Sequence, residues 1–270
     1  MRNKGIDEMT KIIPEITRES VIYNINDGYR DDNRGLDEYR PISIETDVIS
    51  KAEGSARVKI GDPQVIVGIK TQLGEPFPDT PGLGVLMTGC EMLPIADPAF
   101  EPGPPSEDSI ELARVVDRGI RESNLVDLDK LCVEEGKKVW ILFIDLHIID
   151  NCGNLFDACE LGVMAALKST KLPTVNIEGE EVEIDRENTI DLPINNKVAM
   201  CTFVKIGEEL ILDPSLIEEE VADARLNVAV TEDGKICAMQ KGGSLSLTKD
   251  EISGCVHKAI SKSKELLKEL

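Results

Sequence analysis

The chain has 270 residues, 41% of them hydrophobic and 30% charged, and a formal net charge of −21. This balance excludes a wholly disordered chain and allows one large domain or two smaller ones, while the surplus of acid means that any contact with nucleic acid needs a local basic patch or a basic partner. No run reaches the roughly 18 apolar residues of a membrane span, and the N-terminus MRNKGIDEMTKIIPEITRES has no apolar signal core, so a cytoplasmic protein with no membrane contact is expected.

Taken in chain order, EITRESVIYNIN (Glu15 to Asn26) reads as a short helix ended by Asp27-Gly28, and the turn-rich GYRDDNRGLDEYRP follows. PISIETDVI (Pro41 to Ile49) alternates like a strand, Gly54 to Gly74 reads as a hairpin turning at Gly61-Asp62-Pro63, and Val85 to Leu93 is a further strand before a proline-rich loop. Ser106 to Glu122 opens like a capping box, with Ile110, Ala113, Val116 and Ile120 at helical spacing as its expected core face. Lys138 to Ile149 reads as a strand, Leu155 to Lys168 as a buried helix entered through Gly153-Asn154, and KLPTVNIEGEEVEIDRENTIDLPINN as a polar connecting region.

The remainder repeats the plan, with strands Val198 to Ile206 and Glu209 to Leu212, a helical turn Leu216 to Ala222, strands Leu226 to Val230 and Ile236 to Gln240, and a helix Lys249 to Leu270. Helices alternating with paired strands in both halves imply an α/β or α+β chain of two similar units. The expected organisation is an N-terminal helix and extended segment (1–40), a first unit (41–170), a connecting region (171–190) and a second unit (191–270). The seven cysteines are odd in number, form no C-x-x-C and sit mostly in apolar segments, which reads as reduced buried thiols, Cys152 and Cys159 included. With only His147 and His257 present, no histidine-rich metal site is expected, and neither is a cofactor.

GYRDDNRGLDEYRPISIE, EGSARVKIGDPQVIVGIKT, IELARVVDRGIRES, DNCGNLFDACELGVMAALK and LILDPSLIEEEVADARLNVAVTEDGKI together resemble, in order and spacing, the RNase PH family over roughly residues 28 to 265. EPGPP and GNLFDAC are similar to the non-catalytic branch of archaeal exosome subunits. The resemblance implies an RNase PH-like fold of two β-α-β-α units packed as one body. Its implied partners are a catalytic RNase PH-like subunit in a hexameric ring of three heterodimers, RNA-binding cap subunits, and single-stranded RNA held by the complex.

Phosphorolysis needs a phosphate clamp and acids at the scissile bond. In active relatives the clamp is a glycine, a Ser or Thr and an arginine at the start of the central helix. Here that place reads Gly153, Asn154, Leu155, with apolar Leu155 or Phe156 at the arginine's position and Asp157 next to it, so the phosphate site is expected to be lost. The family's two catalytic aspartates fall, aligned on Leu212-Asp213-Pro214, at Glu219 and Arg225, which removes the second acid. The consecutive Glu218, Glu219 and Glu220 splay around a helical turn, and a solvated face is the preferred reading.

Arg114, Arg118 and Arg121 form a stripe at i, i+4 and i+7, which in a chain this acidic reads as a contact for RNA phosphates or an acidic partner, and the resemblance implies RNA contact for Arg114 and Arg118 beside a partner's active site. Local pairing of Asp117 with Arg121 and of Arg118 with Glu122 is the plainer alternative. The function implied is a non-catalytic ring subunit for 3′-to-5′ phosphorolytic RNA degradation. Two rivals stay open: an independently active phosphorolytic exoribonuclease, and a metal-dependent hydrolase built on Asp213, Glu219 and Asp223.

Overall fold

The computed structural model describes residues 15–178 and 181–270, and side chains outside 177–182. Methionine-1 to residue 14 of the expected N-terminal segment lies outside the described residues. The helices are α1 (Glu15–Asn26), α2 (Glu107–Glu122), α3 (Leu155–Ser169), α4 (Leu216–Val221) and α5 (Lys249–Leu266). The strands are β1 (Ile42–Thr46), β2 (Gly54–Ile60), β3 (Gln64–Gly74), β4 (Val85–Met92), β5 (Cys132–Glu134), β6 (Lys138–Asp150), β7 (Lys171–Glu178), β8 (Glu181–Asp191), β9 (Val198–Ile206), β10 (Glu209–Leu212), β11 (Ala224–Thr231) and β12 (Ile236–Gly242). No helix among the described residues is long and apolar enough to cross a membrane.

The first sheet runs β1-β2-β3-β6-β4, with β5 on β6, and the second runs β10-β9-β11-β12. β4 lies parallel to β6 because the chain crosses over through α2, and the remaining neighbours pair antiparallel. Strand alternation decides the layering. On β9, Val198 and Met200 join the core formed with α3, while Ala199, Cys201 and Phe203 join Cys255, Ala259 and Leu266 of α5. The second sheet is therefore sandwiched between α3 and α5, and α3 in turn packs on β2 and β3 of the first sheet.

That position explains why α3 is apolar nearly all round. Every residue from Leu155 to Leu167 is buried, as a helix between two sheets must be. The core is aliphatic, with Val58, Ile60, Val67, Ile69, Leu142, Ile144 and Leu146 fully buried beneath it. Each such side chain contributes about 1.5–3 kcal/mol relative to exposure.

Two readings from the pattern are corrected. The polar stretch after α3 is a β7–β8 hairpin rather than a plain connection; Val175 and Ile184 pair across it and pack on the core, and period 2 was hidden because its other face is almost entirely polar. On α2, Ile110 is 52% exposed and the buried face is Leu112, Ala113, Val115, Val116, Gly119 and Ile120. α2 touches β4, α3 and β12 at once, so its buried arc is wider than one stripe and shifted from the expected one.

Candidate functional site

The entry to α3 is set by two residues in the left-handed region, Gly153 at φ +87° and Asn154 at φ +57°. A Cβ on Gly153 would stand 2.5 Å from the Leu216 nitrogen and 2.7 Å from the Pro214 oxygen, so only glycine lets α4 approach this closely. Asn154 is fully buried and acts as a hub. Its backbone N–H donates to Glu219 Oε1 (2.9 Å), and its Nδ2 donates to Asp157 Oδ2 (2.9 Å) and Asp213 Oδ1 (2.7 Å).

A helix N-terminus is where an anion is held most readily, by unpaired N–H groups and the dipole. Here the anion is internal: the carboxylate of Glu219 takes the N–H of Asn154. Asp157 faces away from this opening, into the seam with β9, where it accepts from Thr202 Oγ1 (2.6 Å), Thr202 N (3.0 Å) and Tyr39 OH (2.8 Å). Burial pushes its pKa up to about 7 against those donated hydrogen bonds. Cys159 is buried in the same helix and Cys152 is half-buried, and burial raises both thiols.

The acids of 213–223 are not a wet face. Asp213, fully buried, accepts from Arg34 Nη1 (2.7 Å), Arg40 Nη2 (2.8 Å) and the Arg40 backbone N–H (2.8 Å). Glu218 is the reciprocal member of the capping box opened by Ser215, and Arg30 Nε donates to it at 2.8 Å. Asp223 accepts from Arg18 (2.9 Å) and the Gly207 N–H (3.1 Å). The expected solvated face thus fails for Glu218 and Glu219, because a single helical turn wedged against α3 and the 28–40 segment buries Glu218 and leaves Glu219 half-buried on the Asn154 N–H.

The same geometry tells against the hydrolase reading: Asp213 and Asp223 spend their oxygens on different arginines, and among the described residues no three His, Cys, Asp or Glu are grouped to hold a metal. Arg30, Arg34 and Arg40 were not singled out from sequence. Their signal was three arginines in a turn-rich segment of a chain with a concentrated acidic run elsewhere.

Glu219 and Arg225 meet Leu155, Phe156, Asp108 and Glu111 around a cavity of about 150 Å3. Arg225 Nη2 donates to Glu111 Oε1 at 2.6 Å and Nε to Asn227 Oδ1 at 3.0 Å, and its guanidinium lies 4.2 Å from the centre of the Phe156 ring. Burial pushes Glu219 up to about 7, opposed by the Asn154 N–H and the charges of Arg225 and Arg40. The structure thus brings Gly153, Asn154, Leu155, Glu219 and Arg225 to one place. Of the two expected acid positions, one holds a carboxylate, Glu219, already hydrogen-bonded, and the other a cation, Arg225, paired with Glu111.

Arg114, Arg118 and Arg121 are all exposed on α2. Arg121 pairs with Asp117 at 2.9 Å and Arg118 Nη1 donates to Gln240 Oε1 at 2.9 Å, whereas among the described residues Arg114 has no ion pair and no Arg118–Glu122 pair forms. Local pairing therefore accounts for one arginine of the three.

Residues 38–173 match the first domain of the 3′ exoribonuclease family (RNase PH), and residues 196–262 match its second domain. The exosome complex component Rrp42 of Methanothermobacter thermautotrophicus is 58% identical over 259 residues, 96% of each chain. That of Methanocella arvoryzae is 52% identical over 260 residues, 96% of this chain and 97% of its own. A chain from the Archaeoglobus fulgidus exosome solved with RNA bound to the active site superposes with a TM-score of 0.88 at 44% identity, covering 94% of this chain and 98% of that one. Rice Rrp46, at 16% identity over 88% of this chain and 97% of its own, with a TM-score of 0.68, shares the fold alone.

Proposed function

The chain belongs to the RNase PH family of 3′ exoribonucleases, and from that membership we propose that it is a non-catalytic ring subunit of an archaeal-type RNA exosome. One observation carries the non-catalytic part. The position where an attacking phosphate would sit on the N-terminus of α3 is occupied by the Glu219 carboxylate, and the second acid is Arg225, stacked on Phe156. A phosphate entering here would meet Glu219, Glu111 and Asp108 with no unpaired cation to receive it.

In this reading the chain pairs with a catalytic RNase PH-like subunit in the cytoplasm, three such heterodimers close a hexameric ring, and RNA-binding caps sit on it. The two RNase PH-like units divide within 171–190. Arg114 and Arg118 offer cations to single-stranded RNA on its way to the partner's site, with Arg121 held back by Asp117.

The test is an RNA degradation assay with inorganic phosphate on this chain, on its catalytic partner and on the mixture. Full activity of this chain alone would sink the reading, and activity that requires or is raised by mixing supports it. In the mixture, Arg114→Glu should weaken RNA turnover while leaving the assembly's size unchanged, and should reduce the slope of log affinity against log salt by about one if one phosphate contact is lost. An unchanged salt slope would make the stripe a surface array.

A further inference from the structure

Between the end of β4 and the N-terminus of α2 the proline-rich loop 93–105 encloses an open groove of about 720 Å3, within the range of ligand-binding clefts. Its floor is apolar and half-buried, formed by Met92, Leu93 and Phe100. Through Met92, Phe100 and Asp108 it is continuous with the cavity beside Glu219 and Arg225. Beside the groove in sequence, Ile95 of the same loop is 80% exposed and Ile110 of the adjoining helix turn 52% exposed.

The charge of this groove has one sign. Glu91, Glu101 and Asp108 line it and no lysine or arginine does; in the adjoining cavity Glu111 and Glu219 face the single, already paired Arg225. Among the described residues Glu101 and Asp108 make no ion pair or hydrogen bond. Their charge is only partly offset by the positive end of α2. Low-dielectric walls focus such a field, which repels phosphates and attracts cations.

From the apolar floor and the uncompensated carboxylates, we infer that this groove docks an extended polypeptide segment of a protein partner, one that sets lysine or arginine side chains between apolar ones. The apolar residues lie on Met92 and Phe100, and the cationic ends reach Glu101 and Asp108. This inference goes beyond the ring assignment and needs no RNA turnover to be tested, so either can fail without the other.

The test titrates the purified full chain, by fluorescence anisotropy, with a labelled peptide alternating lysine and leucine and, separately, with a labelled oligoadenylate. Glu101→Lys, a change in an exposed loop, should weaken peptide binding about tenfold, and E101K with D108K more, as expected when a pairing charge is reversed. Phe100→Ala should weaken it as well. A charge-matched control on β8, Glu183→Lys with Glu187→Lys, should leave affinity within about twofold. Equal weakening in control and groove variants overturns the inference, because general acidity then explains the binding. No peptide binding, with oligoadenylate affinity lost in Phe100→Ala, overturns it in favour of RNA.

Discussion

Glu160 sits in the middle of α3, fully buried, with both carboxyl oxygens unpartnered among the described residues. Burial, then the charges of Asp157 and Asp117, push its pKa well above the usual carboxylate range, so it is buried as the neutral acid. α2 closes over it at Gly119, where a Cβ would come within 2.5 Å of Glu160 Oε1. A folded pKa above the unfolded one gives stability that is complete below the unfolded value of 4.5 and is lost as pH rises toward the folded one.

Asp157 and Glu219 act with the same sign, but both are pushed up only to about 7, so their share of the loss is finished near neutrality. Between pH 7 and about 8, below the range in which the buried thiols and Tyr39 begin to act with the same sign, any further decline belongs to Glu160. Glu160→Met, similar in volume and without the polar group, should raise stability by about 1–3 kcal/mol at pH 8 and flatten the decline above pH 7 in thermal unfolding. An identical pH slope in wild type and variant would show that the carboxyl has found a partner.

α3 is the element on which fold and site both depend. Its apolar girth was readable, and so was the turn before it, since Gly-Asn is a common way to enter a left-handed pair of residues. The backbone of α4 lying against Gly153 was not readable, because it comes from more than sixty positions further on. Gly153→Ala should destabilise the protein by about 1–3 kcal/mol from the strained φ alone, with an added cost for pushing Leu216 away. Chemical denaturation measures it, and a change below about 0.5 kcal/mol would mean that α4 moves aside freely. On α2, the arginines were legible from spacing, but which of them is free was decided by Asp117 and Gln240.

At the scale of the whole molecule, the segment 28–40 straps the two sheets together. Arg30, fully buried, donates to Glu218 and to the carbonyls of Leu212 and Asp213, while Arg40 reaches the carbonyl of Cys152 (2.8 Å) at the entry of α3. Arg30→Met would take the charged donor from Glu218, leaving it only the Ser215 N–H, remove the Arg30 bond to the Leu212 carbonyl and leave the Asp213 carbonyl only the longer bond from Arg34, in a dry place. A loss of about 3–5 kcal/mol in urea unfolding is expected, the usual cost of breaking a buried pair from one side. A loss under about 1 kcal/mol would show that water replaces the guanidinium there.

The sequence by itself determined the element types outside the β7–β8 hairpin, the two-unit plan and the family, because period 2 and period 3.6 patterns and the order of motifs are local properties of the chain. It also raised the expectation, on which the proposed function rests, that Glu219 and Arg225 stand in the frame of the family's acids. Only the tertiary structure decided what the acids of LILDPSLIEEEVADARLNVA do. Whether a carboxylate is solvated, caps a helix or neutralises an arginine depends on which cation or N–H lies within about 3 Å of it, and the groups that meet these acids, Arg18, Arg30, Arg34, Arg40 and the N–H of Asn154, are distant in the chain.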